Sequence, residues 1–467
     1  MANADAPRLF GTDGIRGVAG RPPLDRPTVR RLGAALVRAL PRGDMGRTGA
    51  DPVLSTDAGR TPHFLIGRDT RESGGWIEAE LAHGAAAAGA MVTSIGVAPT
   101  PEVAYLTRTG AFDAGIVISA SHNPFEDNGI KVFSHQGEKL GEGVEREVEA
   151  MVAGASWQAP GGVPGPVTRA DLNGAYLDHL RAVLSGPSAP AACGFRLAID
   201  CANGATSGLA PPLFEGLGFE PVVIGDRPDG RNINLQCGST HPGALARLVV
   251  ERGCRMGVAF DGDGDRAIFV DERGRVVDGD AVLFMCARQL QGEGRLKGGA
   301  IVATVMSNIG LEMALRPLGI GMVRCAVGDK YVMEEMIARG LSLGGEQSGH
   351  IIFSDYLFTG DGLCTALNVI RTVLLTGRPL GDLATDLVTY PQVLLNVRVR
   401  EKVDLRSVPA VAAAMEGVEA RVEGRGRLLV RYSGTEPVLR VMIEGKDQEE
   451  IRTWAQEIID VVRKEIG

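Results

Sequence analysis

The sequence predicts an α/β protein of several domains: three similar α/β units followed by a distinct C-terminal segment. Three observations predict it. Short apolar strand candidates alternate with helix candidates early in the chain, the pattern of α/β folds. A short apolar strand, a polar glycine-containing loop and a second apolar strand recur as a unit three times. Finally, 467 residues are too many for a single hydrophobic core, at roughly 100–150 residues per domain.

The elements follow in order. Asp25–Leu40 reads as a helix: Asp25 caps it, Pro27 suits an early helical position, and Val29, Leu32, Leu36 and Leu40 share one face. A strand is expected at His63–Ile66, then a helix from Trp76 to Ala90 and a strand at Met91–Ile95. Between the first helix and that strand, Arg42–Pro62 is rich in Gly, Asp, Thr and Pro and reads as an exposed insertion. Ala155–Val167, with three Pro and three Gly, reads as a domain linker, and Ser185–Ala192 as a loop. Near the end, Ile451, Trp454, Ala455, Ile458 and Val462 recur at helical spacing behind a capping Asp447, a terminal helix packed on a small final domain.

The three recurring segments are Gly115–Ile118 with its return Gly129–Phe133, Gly257–Phe260 with Ala267–Val270, and Leu341–Leu343 with Ile351–Phe353. Each presents a polar loop at a strand end.

Composition narrows the class. The chain is 44% apolar and 23% charged, the balance of a globular protein. Its net charge of −8 argues against a general nucleic-acid binder, which carries a basic face. The 64 glycines and 5% aromatics fit an α/β enzyme with many tight loops better than a β-sandwich. Seven cysteines, with no C-x-x-C pair, read as reduced core thiols of a cytoplasmic protein rather than a disulfide framework or zinc cluster. No signal peptide is expected from Met1–Arg8, and no run of about 18 apolar residues would span a membrane.

Four loops carry chemistry. In Ser119–Pro124 (S-A-S-H-N-P), Ser121 stands on a tight turn beyond a strand. Neighbouring Ser121 and His122 do not assemble a triad, so the serine needs another activation, such as an attached phosphoryl group. Lys131, ten residues on, is placed to reach back as an acid or base. The second loop, Asp261–Arg266 (D-G-D-G-D-R), sets three carboxylates at alternate positions. Such charges repel unless a cation sits among them, and all-oxygen ligands indicate Mg²⁺ or Mn²⁺. An EF-hand is excluded because Arg266 stands where its glycine belongs and the flanks are strands. An aspartyl-phosphate enzyme using Asp261 is the rival reading. The third loop, Gly344–His350 (G-G-E-Q-S-G-H), offers Glu346 and Ser348 to sugar hydroxyls or an amino group. The fourth, Arg431–Pro437 with Arg440 beyond, gathers hydroxyls, backbone N–H groups and a planar guanidinium, the donors a phosphate needs. No Walker A or G-x-G-x-x-G string supports nucleotide binding.

Taken together and in order, F-G-T-D-G-I-R-G (Phe10–Gly17), I-S-A-S-H-N-P, D-G-D-G-D-R, G-G-E-Q-S-G-H and R-Y-S-G-T-E-P resemble the motifs of the α-D-phosphohexomutases, over nearly everything from Arg8 onward. The resemblance implies four domains around a central cleft, three α/β and a smaller C-terminal α+β one, divided at 1–165, 166–277, 278–388 and 389–467. It makes Ser121 the phosphoserine and also a metal ligand, with Asp261, Asp263 and Asp265 holding one Mg²⁺ per subunit. Glu346 and Ser348 would read the sugar, and Arg431, Ser433, Gly434 and Thr435 would hold the remote phosphate. Arg16, His122, Lys131, Arg266 and His350 are further active-site candidates, with Lys131 and His350 as proton carriers. The I-R-G opening, the Gly-Thr-Glu-Pro loop and G-E-Q-S-G-H favour glucosamine phosphate over mannose or glucose phosphates, which stay open. The implied reaction passes through glucosamine 1,6-bisphosphate, in a homodimer acting on small sugar phosphates without nucleic acid or membrane.

Overall fold

In the computed structural model, which describes residues 8–11, 13–40, 61–154, 167–185, 194–433 and 437–467, the three strand–loop–strand segments belong to three sheets with one wiring. The first sheet's elements run β1 (Phe10–Gly11), β2 (Gly14–Val18), α1 (Arg26–Ala39), β3 (His63–Arg68), α2 (Gly74–Ala87), β4 (Met91–Val97), α3 (Thr100–Thr109), β5 (Ala114–Ile118), β6 (Asp127–Ser134), α4 (Glu142–Ala153) and β7 (Val167–Arg169). Its strand order is β1-β2-β6-β5-β3-β4-β7. Strands β5, β3 and β4 are parallel, and β6 returns antiparallel beside β5.

The second sheet follows α5 (Asn173–Arg181) with β8 (Arg196–Asp200), α6 (Ala210–Gly216), β9 (Glu220–Ile224), α7 (Gly243–Arg252), β10 (Met256–Phe260), β11 (Ala267–Asp271) and β12 (Val276–Val277), ordered β12-β11-β10-β8-β9. The third is ordered β16-β15-β13-β14, from α8 (Gly279–Gly292), β13 (Ala300–Thr304), α9 (Ile309–Leu315), β14 (Gly321–Cys325), α10 (Asp329–Arg339), β15 (Leu343–Gly345), β16 (Ile351–Phe353), α11 (Gly362–Thr376) and α12 (Leu380–Ala384). In every case the order is return strand, loop-bearing strand, then two further strands. The polar loops therefore leave the carboxyl ends of β5, β10 and β15, where α/β sheets bind ligands. Strands β5, β10 and β11 are buried along their whole length, so apart from Asp271 at the end of β11 they read as unbroken apolar runs rather than alternating ones.

The chain divides into two compact parts, one taking in the chain to Met306 and Met322–Ala384, the other Ser307–Gly321 and Thr385–Gly467. The second carries a three-stranded antiparallel sheet, β17 (Gln392–Arg398), β18 (Gly426–Tyr432) and β19 (Val438–Gly445), ordered β17-β19-β18. Helices α13 (Pro409–Val422) and α14 (Gln448–Glu465) bury Val411, Val418, Trp454, Ile458 and Val462 with Val441 and Ile443 of the sheet. Asp447 caps α14 as expected, accepting from Glu449 N at 2.9 Å and Glu450 N at 3.0 Å. Helix α9 belongs to this part: buried Glu444 accepts from Ile309 N at 3.0 Å.

Several boundaries shift for physical reasons. Helix α2 begins two residues before Trp76 and ends at Ala87, where Gly89 turns the chain at φ +97°. Strand β15 reaches into the glycines expected to be loop: Gly345 pairs with Ile351, and its side would meet His350 O at 2.6 Å if a Cβ were present. Val167, assigned to the linker, opens β7. The rest of that linker, residues 42–60 of the expected insertion with residue 41 before it, residues 186–192 of the expected loop and Cys193 lie outside the described residues. The other six cysteines are free and buried. No helix among the described residues is long and apolar enough to cross a membrane.

Helix α1 starts as the sequence predicts, with Asp25 Oδ1 accepting from Thr28 N at 2.9 Å and Val29, Leu32 and Leu36 buried. It packs on α2 through two glycines. A Cβ on Gly84 would lie 1.9 Å from Arg30 O, and one on Gly33 2.1 Å from Leu81 O. Backbone on both sides cannot yield without separating the helices. Gly84→Ala should therefore destabilise the protein by about 1–3 kcal/mol, the usual range for overpacking. Gly417→Ala, in the exposed middle of α13 with only Arg421 nearby at 3.9 Å, should instead stabilise by about 0.5–1 kcal/mol. Calorimetric melting of the two variants checks both signs.

Candidate active site

Ser121 sits just past β5, buried, with a left-handed φ of +54°. Its Oγ donates to Asp261 Oδ2 at 2.5 Å and lies 3.3 Å from His122 Nδ1. The hydroxyl is thus aimed at the second loop rather than at its neighbour. Burial, with Arg266 and Arg16 nearby, pushes His122 down to about 4, so its ring is neutral near pH 7.

Asp261, Asp263 and Asp265 are buried, and a carboxylate oxygen from each lies within 4.8 Å of the others. Burial and the facing Asp265 and Asp263 push the Asp261 carboxyl well above the usual range. Asp263 Oδ1 and Asp265 Oδ1 are buried without a hydrogen-bond partner among the described residues. Three hard carboxylate oxygens gathered this closely fit a divalent cation.

Lys131, on β6, reaches this cluster. Its Nζ donates to Asp263 Oδ2 at 2.8 Å and Asp265 Oδ2 at 2.9 Å, and lies 3.2 Å from Asp13 Oδ2. Burial opposes its charge, but Asp13, Asp263 and Asp265 raise its pKa well above the ordinary lysine value. The charges continue in alternation. Lys139 Nζ donates to Asp13 Oδ1 at 2.6 Å and also to Asp329, at the start of α10. His350 lies 3.6 Å from Asp329 through Nε2 and 3.6 Å from Asp265 through Nδ1. Gly360 N donates to His350 Nε2 at 3.0 Å, so the proton of the neutral ring sits on Nδ1, toward Asp265. Asp13, Lys131, Asp265, His350, Asp329 and Lys139 form a closed ring linking the three sheets.

The third loop meets the second directly, since His350 bridges Arg266 in antiparallel fashion. Half-buried Glu346 accepts from Gly328 N at 3.1 Å through Oε1. Exposed Ser348 donates to its Oε2 at 3.4 Å. A cleft of about 700 Å³ is lined by Asp13, Arg16, His122, Arg266, Glu346 and His350, among others. Arg16 is held by Asp13 and by Asn123 Oδ1 at 3.4 Å.

The fourth loop lies on the C-terminal sheet. Arg431 on β18 stands directly opposite Arg440 on β19, and Arg440 opposite Asn396 on β17. Two facing guanidiniums repel unless an anion joins them. Ser433 is buried, its carbonyl accepting from Lys402 Nζ at 2.7 Å. Gly434 and Thr435 lie outside the described residues.

The sequence reading had singled out neither Lys139 nor Asp329, and had quoted Asp13 only within a motif. Lys139 carries no local signal. Asp329 follows Gly328 at a helix start, a feature too common to single it out. Arg71 and Asn234, which touch the Ser121 loop, were also passed over, although Arg71 follows β3, whose carboxyl end adjoins that of β5.

Four family models match in chain order: the α/β/α domains I, II and III of phosphoglucomutase/phosphomannomutase at residues 7–159, 174–274 and 278–390, and the C-terminal domain at 394–461. The chain belongs to the phosphoglucomutase/phosphomannomutase family of phosphohexomutases, isomerases that move a phosphoryl group within a sugar phosphate. Within it, the chain is 51% identical over 459 residues to the phosphoglucosamine mutase of Solibacter usitatus, covering 98% of this chain and 99% of that one. It is 46% identical to the phosphoglucosamine mutase of Geobacillus kaustophilus, covering 98% and 99%. A family protein of Burkholderia thailandensis has the same fold, with TM-score 0.77 at 23% identity over 98% of this chain and 97% of that one. The N-acetylphosphoglucosamine mutase of Aspergillus fumigatus, solved with GlcNAc-6P and magnesium, has TM-score 0.64 at 16% identity over 98% and 95%.

Lys131 neutralises three acidic partners, so Lys131→Met should cost about 3 kcal/mol or more, the usual result of removing one member of a buried ion pair. Added Mg²⁺ should restore part of the lost melting temperature by supplying positive charge to the same carboxylates. Melting with and without Mg²⁺ tests this.

Proposed function

We propose that the chain interconverts glucosamine 6-phosphate and glucosamine 1-phosphate through a phosphorylated Ser121. The observation that carries the reading is the Ser121 hydroxyl buried 2.5 Å from a carboxylate of the three-aspartate cluster, in a chain whose full-length relatives are phosphoglucosamine mutases. Residues 1–165 supply the serine loop, 166–277 the metal loop, 278–388 the sugar loop and 389–467 the phosphate loop.

Positions 1 and 6 of a hexose are too far apart for direct migration, so a relay is needed. The P–O bond to Ser121 breaks as one forms to the sugar's free 1-hydroxyl, giving glucosamine 1,6-bisphosphate. That intermediate turns over, and its 6-phosphate returns to Ser121. Mg²⁺, held by Asp261, Asp263, Asp265 and the Ser121 group, would supply charge neutralisation and alignment for the transferring phosphoryl. Lys131, kept charged by its carboxylate partners, is the proposed proton donor to the departing Ser121 oxygen, and His350 is proposed to take up the proton that the attacking sugar hydroxyl gives up, so that the two protons balance. Arg16, His122 and Arg266 line the path of the phosphoryl group. Glu346 and Ser348 take sugar hydroxyls and the amino group, and Arg431 with Ser433, Gly434 and Thr435 takes the phosphate that is not being transferred. Binding that phosphate supplies affinity remote from the chemistry.

An aspartyl-phosphate enzyme would need Asp261 as a free nucleophile. Its acceptance of the Ser121 hydrogen bond favours the serine instead. Ser121→Ala should abolish mutase turnover, and intact-mass analysis should find one phosphate on part of the wild type and none on the variant. A hydroxylamine-labile phosphate would point to Asp261. Coupled turnover with the 6-phosphates of glucosamine, glucose and mannose should give the highest kcat/KM for glucosamine. Mannose or glucose leading would move the chain to another branch of the family.

Arg431→Lys keeps the charge but loses the planar fork that makes two parallel bonds to phosphate. KM should rise and kcat fall while Ser121 phosphorylation stays at the wild-type level. Steady-state kinetics with phosphate occupancy on the same preparation decides it, and unchanged kinetics would make Arg431 a turn residue.

A further inference from the structure

A left-handed backbone at a buried serine is strained, because a side chain there crowds the neighbouring carbonyl. At Ser121 both backbone polar groups are gripped. Its N–H donates to Ser119 Oγ at 2.9 Å, and Ser119 Oγ donates to Asp69 Oδ2 at 2.5 Å. Asp69 Oδ2 also accepts from Arg71 Nε at 2.8 Å, and both side chains are fully buried. The circuit closes because the same guanidinium donates to Ser121 O at 3.0 Å and Asn123 O at 2.9 Å, and also to Pro124 O.

A second donor comes from the other sheet. Asn234 Nδ2 donates to the same two carbonyls, Ser121 O at 2.9 Å and Asn123 O at 3.1 Å. Asn234 belongs to the segment after β9 and is itself left-handed at φ +58°. Its N–H donates to Ala202 O at 2.9 Å, and Gly238 N, four residues on, donates to Asp200 Oδ2 at 2.8 Å at the end of β8. The metal loop passes on the remaining side: a Cβ on Gly262 would lie 2.5 Å from Ser121 O and 2.9 Å from Asn234 Nδ2. The Ser121 carbonyl is therefore enclosed by Arg71 of the first sheet, and by Asn234 and the Gly262 turn of the second.

We propose that Asn234 is a positioning residue for Ser121. Its amide donors, working with Arg71, hold the serine in its strained conformation and make presentation of Oγ to Asp261 depend on docking of the second sheet's 232–240 segment against the nucleophile loop. Arg71 alone fixes the loop within the first sheet, whereas Asn234 sets its register against the metal loop. The consequence rests on the reading of Ser121 as phosphoryl carrier, since a displaced Oγ slows transfer without removing any group that binds sugar phosphate.

Arg71 variants would strand the buried Asp69 charge and are unsuited to the test. Asn234→Gly keeps the left-handed backbone unstrained and deletes the donors. Asn234→Asp keeps the shape but turns acceptors toward two carbonyls. Both should lower kcat roughly ten- to hundredfold, the scale of an ångström misplacement, with KM within about twofold. Melting temperature should stay near wild type for the Gly variant, and its crystal structure should show Ser121 Oγ withdrawn from Asp261. A residue that merely shaped the loop would tolerate Asp, so wild-type kcat in Asn234→Asp or Asn234→Gly would overturn the proposal. If the wild type itself transfers no phosphoryl group, the functional reading fails, and the Ser121–Asp261 distance in the Asn234→Gly structure still decides this one: an unchanged distance refutes it.

Discussion

Three carboxylates buried within 4.8 Å of one another are the constraint on which the rest of the site depends. Alone they would repel strongly and take up protons, as the raised pKa of Asp261 records. The chain answers with positive charge from two directions. Lys131 is driven in from β6 and bonded to two of the three, while the cluster itself fits a divalent cation. Around that centre, acids and bases alternate through Asp13, Lys139, Asp329 and His350, so that each buried charge meets its opposite. The residues to which the proposed function gives binding and phosphoryl chemistry are thus also those that hold the three sheets together.

The repeated wiring makes this convergence economical. Each sheet ends its loop-bearing strand in a polar turn and immediately returns antiparallel, which projects a short, stiff loop from a buried ladder. In the first sheet the return strand brings Lys131 back beside the loop, in the second Arg266 N, just before the return strand, donates to Asp261 Oδ1 at 3.1 Å, and in the third His350, just before its return strand, pairs with Arg266. One scaffold thus presents the buried Ser121 hydroxyl, a metal-fitting carboxylate cluster and the Glu346 carboxylate, the groups to which the proposed function gives the phosphoryl, the cation and the sugar. The antiparallel sheet of the C-terminal part is built differently, and its facing Arg431 and Arg440 suit an anion rather than reacting atoms.

Much of this was legible in the sequence. The three loops announced themselves because strand–loop–strand is local, and alternate aspartates between glycines admit few purposes. The helix starts at Asp25 and Asp447 were readable for the same reason, since a cap and its first turn are neighbours. The ring partners Lys139 and Asp329 were not, being 190 residues apart in the chain and meeting only when the sheets dock. Arg71 and Asn234 were hidden differently: their targets are backbone carbonyls, which leave no trace in side-chain pattern. The glycine contact between α1 and α2 was invisible because a glycine in an alanine-rich helix reads as a weak point until the second helix is seen against it.

The central claim is that the Asp261 cluster exists to hold a divalent cation and is electrostatically incomplete without one. Isothermal titration of the metal-free protein with Mg²⁺ tests it most directly. The account predicts saturable binding of one ion per chain, greatly weakened in Asp263→Asn. No saturable binding, or binding undiminished in Asp263→Asn, would contradict it.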